Sequence, residues 1–429
     1  MPLRRRFIST LAAASLLGCC LPASSQIVDY PDDEVAGIPV NYTEGRVGRY
    51  KLPELLVLAN GEPVREAKTW FERRRPEIVK LFEEHQYGRA PAPRNISFDV
   101  FEKAGTAFSG KAVRRQVTVY FSKDKTGPKM DLLIYLPAAA GPVPLLLNVS
   151  FTANSNTVED DGVREGTIWN RERERVPASS GRRFGRLPVE SFIEKGFGIA
   201  TVYYGDIDPD FEGGISHGVR SLYLASGRTK PAPEEWGAIA AWGWGLSRAL
   251  DYFETDADVD AGRVALMGVS RLGKTVLWAG ARDTRFAAVI ASCSGEGGAA
   301  LARRNYGERL KHLAVRYGYQ LAENYGKYVD AFPVDAHMLI ALVAPRPLLL
   351  QTGDTDKWSD PRGEFEAAVA AGPVYELLGK RGLGTDRIPA PGEPILNDLG
   401  YLMHGGGHGT LPADWDVFLT FLDKHIGSR

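Results

Sequence analysis

Arg263-Val-Ala-Leu-Met-Gly-Val-Ser-Arg-Leu-Gly-Lys-Thr275 joins an apolar run to a glycine turn and then to a helical pattern through Val276, Leu277 and Trp278. Two chemistries compete for it. From Gly268 to Thr275 the residues satisfy the P-loop pattern, in which backbone amides cradle phosphates and Thr275 would hold magnesium. They also suit a nucleophile elbow, a strained strand-to-helix turn that lifts the Ser270 hydroxyl above a sheet with a helix N-terminus behind it. The usual Gly-x-Ser-x-Gly is displaced here. Gly268 precedes Ser270, but Leu272 fills the second glycine position and Gly273 follows one residue later.

The flanking sequence favours the elbow. Strand-like runs span Val113 to Phe121, Asp131 to Leu136, Val143 to Val149, Gly198 to Tyr203, Val264 to Met267, Ala287 to Ser292, Pro347 to Thr352 and Gly400 to Met403, with helical segments between them. Short apolar strands alternating with helices predict an α/β fold of the α/β-hydrolase kind: a mostly parallel sheet with helices on both faces, a three-layer sandwich. A P-loop normally follows an early strand and precedes one that ends in a magnesium-binding Asp. Here the motif follows about the fifth strand, and the sixth ends in Cys293-Ser294.

An elbow requires an acid and then a histidine, in that chain order, each beyond a later strand. Asp354 and Asp356 follow the seventh strand, and His404 and His408 follow the eighth. Three glycines between the histidines exclude the helical face that a zinc H-x-x-x-H pair needs. His408 is preferred as the base because it sits later in the loop, just before a helix that begins near Pro412. Asp256-x-Asp258-x-Asp260 lacks the closing glutamate of a calcium loop and reads as a helix-end turn. No metal or organic cofactor is expected.

Outside this region the sequence predicts three parts. Residues 1–25 read as a signal peptide, with Arg4-Arg5-Arg6, an apolar stretch from Phe7 to Leu21 and the small-residue exit Ala23-Ser24-Ser25. Residues 26–110 read as an N-terminal extension packed on the core, with an amphipathic helix from Ala67 to Glu84. Residues 111–429 form the catalytic domain. Export to the periplasm or the medium follows from the signal. A twin-arginine signal, or lipidation at Cys19, is also compatible with the same residues. Once the signal is cleaved, Cys293 is the one cysteine left of three, so no intrachain disulfide can form.

The stripe Ile239, Trp242, Leu246 and Leu250 marks a core helix. The arginine-bearing loop from Asp160 to Pro188 is too long for an idle connection, and is expected over the substrate side of the sheet. The charge balance, 52 Lys+Arg against 53 Asp+Glu, gives no field for nucleic acid and no acidic excess for disorder. A monomer without a nucleic-acid or membrane partner is expected, unless Cys19 is lipidated.

Beyond the elbow, the sequence resembles the glucuronoyl esterases, especially the bacterial branch of carbohydrate esterase family 15. The resemblance spans nearly all the chain after the signal. Its marks are Gly268-x-Ser270-Arg271-x-Gly273-Lys274, Tyr203-Tyr-Gly-Asp-Ile-Asp-Pro-Asp210, Glu235-Trp-Gly-Ala-Ile-Ala-Ala-Trp242, Ser294-Gly-Glu-Gly-Gly298 and Trp358-Ser-Asp-Pro-Arg-Gly-Glu364. Ser-Arg-x-Gly-Lys is that family's elbow, which accounts for the displaced glycine. The resemblance implies a cofactor-free serine esterase for glucuronic acid esters of xylan. Ser270 would be the nucleophile, His408 the base and Arg271 an oxyanion-stabilising side chain, while Lys274, Glu308 and Trp358 would hold the sugar. Some members take the acid from a glutamate after the sixth strand, where this chain has Cys293. Asp356 is therefore expected to carry the role, with Asp354 and Glu296 as substitutes. Another carboxylesterase or acetyl xylan esterase on the same fold, a P-loop nucleotide binder and a carbohydrate binder with a dead triad are the competing readings.

Overall fold

Nine runs of extended chain make one sheet, and their burial explains their sequences. They are β1 (Ser97–Ala107), β2 (Ala112–Tyr120), β3 (Lys129–Pro137), β4 (Val143–Ser150), β5 (Gly198–Tyr203), β6 (Val259–Val269), β7 (Ala288–Ser292), β8 (Leu348–Gly353) and β9 (Leu399–His404), set side by side in the order β9-β8-β7-β6-β4-β5-β3-β2-β1. The computed structural model describes residues 28–139, 141–181, 186–328 and 332–427; the segment read as an export signal, with Cys19, lies outside them.

From β9 to β5 every pairing is parallel, while β5-β3, β3-β2 and β2-β1 are antiparallel. The parallel strands are buried on both faces, so β4, β5, β7, β8 and β9 are mainly apolar and lack the alternation of a half-exposed strand.

Alternate side chains feed two separate cores. Leu145, Leu147, Leu266 and Leu350 face one side, where α2 (Ala238–Phe253), α3 (Arg271–Arg282), α5 (Ala336–Val343) and α6 (Pro361–Leu377) pack. Leu146, Met267, Leu349 and Leu402 face the other, covered by α7 (Pro412–Ile426) and a short helix at Val189–Glu194. Ile239, Trp242, Leu246 and Leu250 of α2 are buried, as their spacing predicts.

All eight expected strands are present. The ninth, β1, comes from the stretch read as extension, so the strand read as fifth is β6. The helix expected over residues 67–84 runs from Ala67 to His85 and ends in α1 (Arg75–His85). Residues Trp70–Arg74 form a π turn just before Pro76, which has no N–H to donate to the turn behind it. Helix α4 (Leu310–Tyr317) follows the loop that carries Glu308. Among the described residues, no helix is long and apolar enough to cross a membrane.

The fold brings the site together at one sheet edge. Ser270 follows β6, Cys293 follows β7, Asp356 lies beyond β8 and His408 beyond β9. Four neighbouring parallel strands thus each deliver one group to the carboxyl end of the sheet, where open α/β sheets form their binding crevices.

Candidate active site

Ser270 sits between β6 and α3 with φ 60° and ψ −127°, a sparsely populated conformation for a residue with a side chain. Its N–H is held by the Ser292 carbonyl at 2.8 Å. Both neighbouring glycines are sterically required. A Cβ on Gly268 would lie 2.4 Å from the Leu272 carbonyl oxygen, and one on Gly273 would lie 2.7 Å from the Ser292 carbonyl oxygen. The end of β7 therefore crosses α3 at Gly273. Leu272 instead turns its side chain into the core, which gives the displaced glycine a physical reason.

His408 is half-exposed, and its Nδ1 lies 2.7 Å from Asp356 Oδ2 and 3.3 Å from Ser359 Oγ. Burial pushes the Asp356 carboxyl up, but the hydrogen bond and charge of His408, with help from Ser359 and Cys293, outweigh it and hold the group below the usual carboxylate value. The two substitutes for the acid point elsewhere. Asp354 accepts the Gly406 N–H at 2.8 Å and so braces the histidine loop. Glu296 accepts from the Tyr325 hydroxyl at 3.1 Å. His404 is buried, with Nδ1 2.7 Å from Asp414 and Nε2 3.0 Å from the Gly407 carbonyl.

Cys293 takes a positive φ of 45° beside this pair. Its Sγ receives the Gly409 N–H at 3.3 Å, and burial pushes the thiol well above its ordinary range. One donor atom each from Cys293, Asp356 and His408 falls within 4.8 Å of the others.

A pocket of about 300 Å³ unites the expected residues: Ser270, Arg271, Lys274, Glu308, Asp356, Trp358 and His408 all line it. The Arg271 guanidinium is aimed by Asp210, which also accepts from Tyr204 at 3.0 Å, Tyr319 at 2.9 Å and Gln320 at 2.6 Å. The Tyr317 ring lies 4.9 Å from the same guanidinium. Lys274 Nζ donates to the Ser294 carbonyl at 2.6 Å and lies 3.9 Å from Glu308. Burial pulls the lysine down and the glutamate up, and their mutual attraction restrains both shifts.

Asp210 and Ser359 were not singled out from sequence, although both fall inside stretches that carry the resemblance. Of the long arginine-bearing loop, Trp169 donates to the Gly205 carbonyl and Arg175 pairs with Asp206, so it braces the segment leading to Asp210. None of its described residues lines this pocket.

Two buried carboxyls near the pocket give a pH prediction. Burial pushes Glu296 and Glu364 up to about 8, although Glu364 accepts from Gly295 N–H and Ser294; among the described residues Glu364 Oε2 has no hydrogen-bond partner. A carboxyl raised on folding stabilises fully below its unfolded value near 4.5, and that contribution is lost as pH rises through about 8. The urea midpoint is therefore expected to fall between about pH 5 and about pH 9, with a shallower fall in Glu364→Gln. A midpoint that rises over this range contradicts the assignment.

With the geometry in place, the chain can be set against known proteins. The family described as "Glucuronyl esterase, fungi" matches residues 228–379. A carbohydrate esterase, MZ0003, from an unknown prokaryotic organism is 42% identical over 410 residues, covering 92% of this chain and 95% of that one. The chain belongs to the glucuronoyl esterase family. This esterase also superposes on the glucuronoyl esterase from Solibacter usitatus with a TM-score of 0.86 and 45% identity, covering 89% of this chain and all of the other. A CE15 esterase described as promiscuous, from a marine bacterial metagenome, gives a TM-score of 0.83 at 42% identity over 90% of this chain and all of that one. The glucuronoyl esterase is accordingly a carboxylic ester hydrolase with the α/β-hydrolase fold.

Proposed function

We propose that this esterase hydrolyses esters of (4-O-methyl-)D-glucuronic acid, as found in lignin–carbohydrate linkages of glucuronoxylan, with Ser270, His408 and Asp356 as its triad. The observation that carries the reading is the 2.7 Å His408–Asp356 contact opening on the pocket that also holds Ser270, Lys274, Glu308 and Trp358. His408 Nδ1–H donates to Asp356, which leaves Nε2 as the base. His408 removes the Ser270 proton as Oγ attacks the C6 carbonyl, and returns it to the departing alcohol. Water then repeats the sequence on the acyl-enzyme and releases the glucuronate.

The developing oxyanion meets Arg271, a cation that cannot lose its proton and is already aimed by Asp210, at the positive N-terminal end of α3. Lys274 donates to ring hydroxyls, Glu308 accepts from them, and the Trp358 indole supplies an apolar face. Three cationic side chains, Arg271, Lys274 and Arg316, line the pocket against two acids, Glu308 and Asp356. The protein acts as a monomer on a polysaccharide-borne ester outside the cytoplasm, after removal of residues 1–25.

The sugar assignment is tested at Glu308. Glu308→Ala is expected to lower kcat/KM on a methyl or benzyl glucuronate by roughly 1.5 to 3 kcal/mol, the usual worth of a hydrogen bond to a charged group. Weak hydrolysis of p-nitrophenyl acetate is expected to stay almost unchanged. Equal losses on both esters would place Glu308 in the chemistry or the fold instead.

A further inference from the structure

From the contacts made by residues 30–44 we infer that this N-terminal segment is a positioning strap for Glu308 and Trp358, and so helps to set the preference for the sugar acid. The inference rests on the sugar-site reading above.

The strap touches both loops that carry these residues. The Asn41 carbonyl accepts the Gly307 N–H at 3.0 Å, and the Asn41 side chain donates to the Asn305 carbonyl. Gly307 is where the two loops meet: its φ is 59°, a Cβ there would lie 2.6 Å from the Trp358 carbonyl oxygen, and the next amide, Glu308 N–H, donates to that same oxygen at 2.9 Å. No side chain fits between Gly307 and the Trp358 loop at this point.

The Trp358 loop is held in parallel. Lys357 Nζ lies 4.2 Å from the Tyr42 ring centre and 5.0 Å from that of Tyr30, and Tyr42 packs edge-on against Tyr306 at 5.8 Å. Arg304 bridges Glu44 of the strap at 2.7 Å to Asp360 at 2.8 Å, and Asp360 caps α6 just beyond Trp358.

The ring of His312 completes the frame. Its Nδ1 accepts the Arg309 N–H at 2.9 Å, so its Nε2–H faces the Ile38 carbonyl at 3.4 Å, and its ring packs edge-on against Trp358 at 5.2 Å. Val40, Tyr42 and Tyr306 form a small apolar cluster apart from the two main cores, with Tyr30 and Trp358 packed against it. This cluster stands outside the sheet, so loosening it moves Glu308 and Trp358. The elbow is fixed by β6, β7 and α3, and Asp356 is held separately by His408 and by its N–H donating to the Gly353 carbonyl at the end of β8.

The test compares Tyr42→Ala, Tyr42→Phe and Asn41→Ala in the full chain. Tyr42→Ala is expected to raise KM for benzyl glucuronate roughly tenfold, with kcat changed less than about twofold and p-nitrophenyl acetate hydrolysis unaltered. Tyr42→Phe keeps the ring and should restore the wild-type KM. Asn41→Ala, at a partly exposed position, should raise KM about threefold even where Tyr42→Ala fails to fold. Amide exchange over residues 305–312 should quicken in Tyr42→Ala and Asn41→Ala but not in Tyr42→Phe. Unchanged KM and unchanged exchange, or equal losses on both esters, overturn the strap. If the wild type itself shows no preference for glucuronates, the substrate reading fails, while the exchange data still decide whether the strap holds these loops.

Discussion

Ser270→Ala is expected to lower hydrolysis of a glucuronate ester on the order of 10³- to 10⁶-fold, the range for removal of a serine nucleophile with the remaining machinery intact. The substitution keeps a Cβ in the strained turn, so the backbone around Gly268 and Gly273 has no new reason to move. The thermal midpoint should stay within a few degrees of the wild type, and the variant should still bind glucuronate by calorimetry. Near-normal turnover would remove the nucleophile assignment altogether. The same instrument separates the P-loop alternative. Glu308 lies 3.9 Å from Lys274 Nζ, which sets a carboxylate where a phosphate would have to sit. Titration of ATP into the wild type is therefore expected to give no binding heat.

Asp356→Asn is the second large effect, on the order of 10⁴-fold in kcat by analogy with the serine-protease case in which an amide holds the wrong histidine tautomer. The geometry makes the prediction specific. Asp356 is 2.7 Å from His408 Nδ1, whereas Glu296 is engaged by Tyr325, and Asp354 by the Gly406 amide. Glu296→Gln should cost far less than Asp356→Asn. Should the two results come out reversed, the acid belongs to the loop after β7, and Cys293 marks no relocation of that role.

The order of the candidate groups along the chain was legible because each element is local. A glycine turn after an apolar strand, an acid after the next-but-one strand and a histidine before the last helix can all be read without knowing any contact. The strands buried on both faces were legible for the same reason, since burial gives them short apolar runs such as Leu145-Leu-Leu147 and Leu348-Leu-Leu350. Strand β1 was not. It lies at the sheet edge with a single fully buried residue, Ala107, so Asp99, Glu102 and Lys103 hide the alternation that packing would otherwise impose.

Asp210 escaped notice because its meaning lies in distant partners. It gathers Arg271, Tyr319 and Gln320 from 61, 109 and 110 residues away, and nothing in its own neighbourhood signals that convergence. Glu308 has the same character. In sequence it is one more charge, and only the resemblance pointed to it; in the fold it is buried beside Lys274 and Trp358. The contacts of residues 30–44 with the loops around Glu308 and Trp358 span more than 250 residues, beyond the reach of any local pattern.

The central claim is that the pocket at the carboxyl ends of β6 to β9 recognises the glucuronate part of an ester. Its most direct test is the ratio of kcat/KM for benzyl glucuronate to that for p-nitrophenyl acetate, measured on the purified wild-type protein. A site that hydrogen-bonds ring hydroxyls leaves buried polar groups unpaired when they are missing, so the ratio should favour the glucuronate by at least about 10²-fold even though nitrophenolate is the better leaving group. A ratio at or below one would contradict the account, because Lys274, Glu308 and Trp358 would then be contributing nothing to substrate choice.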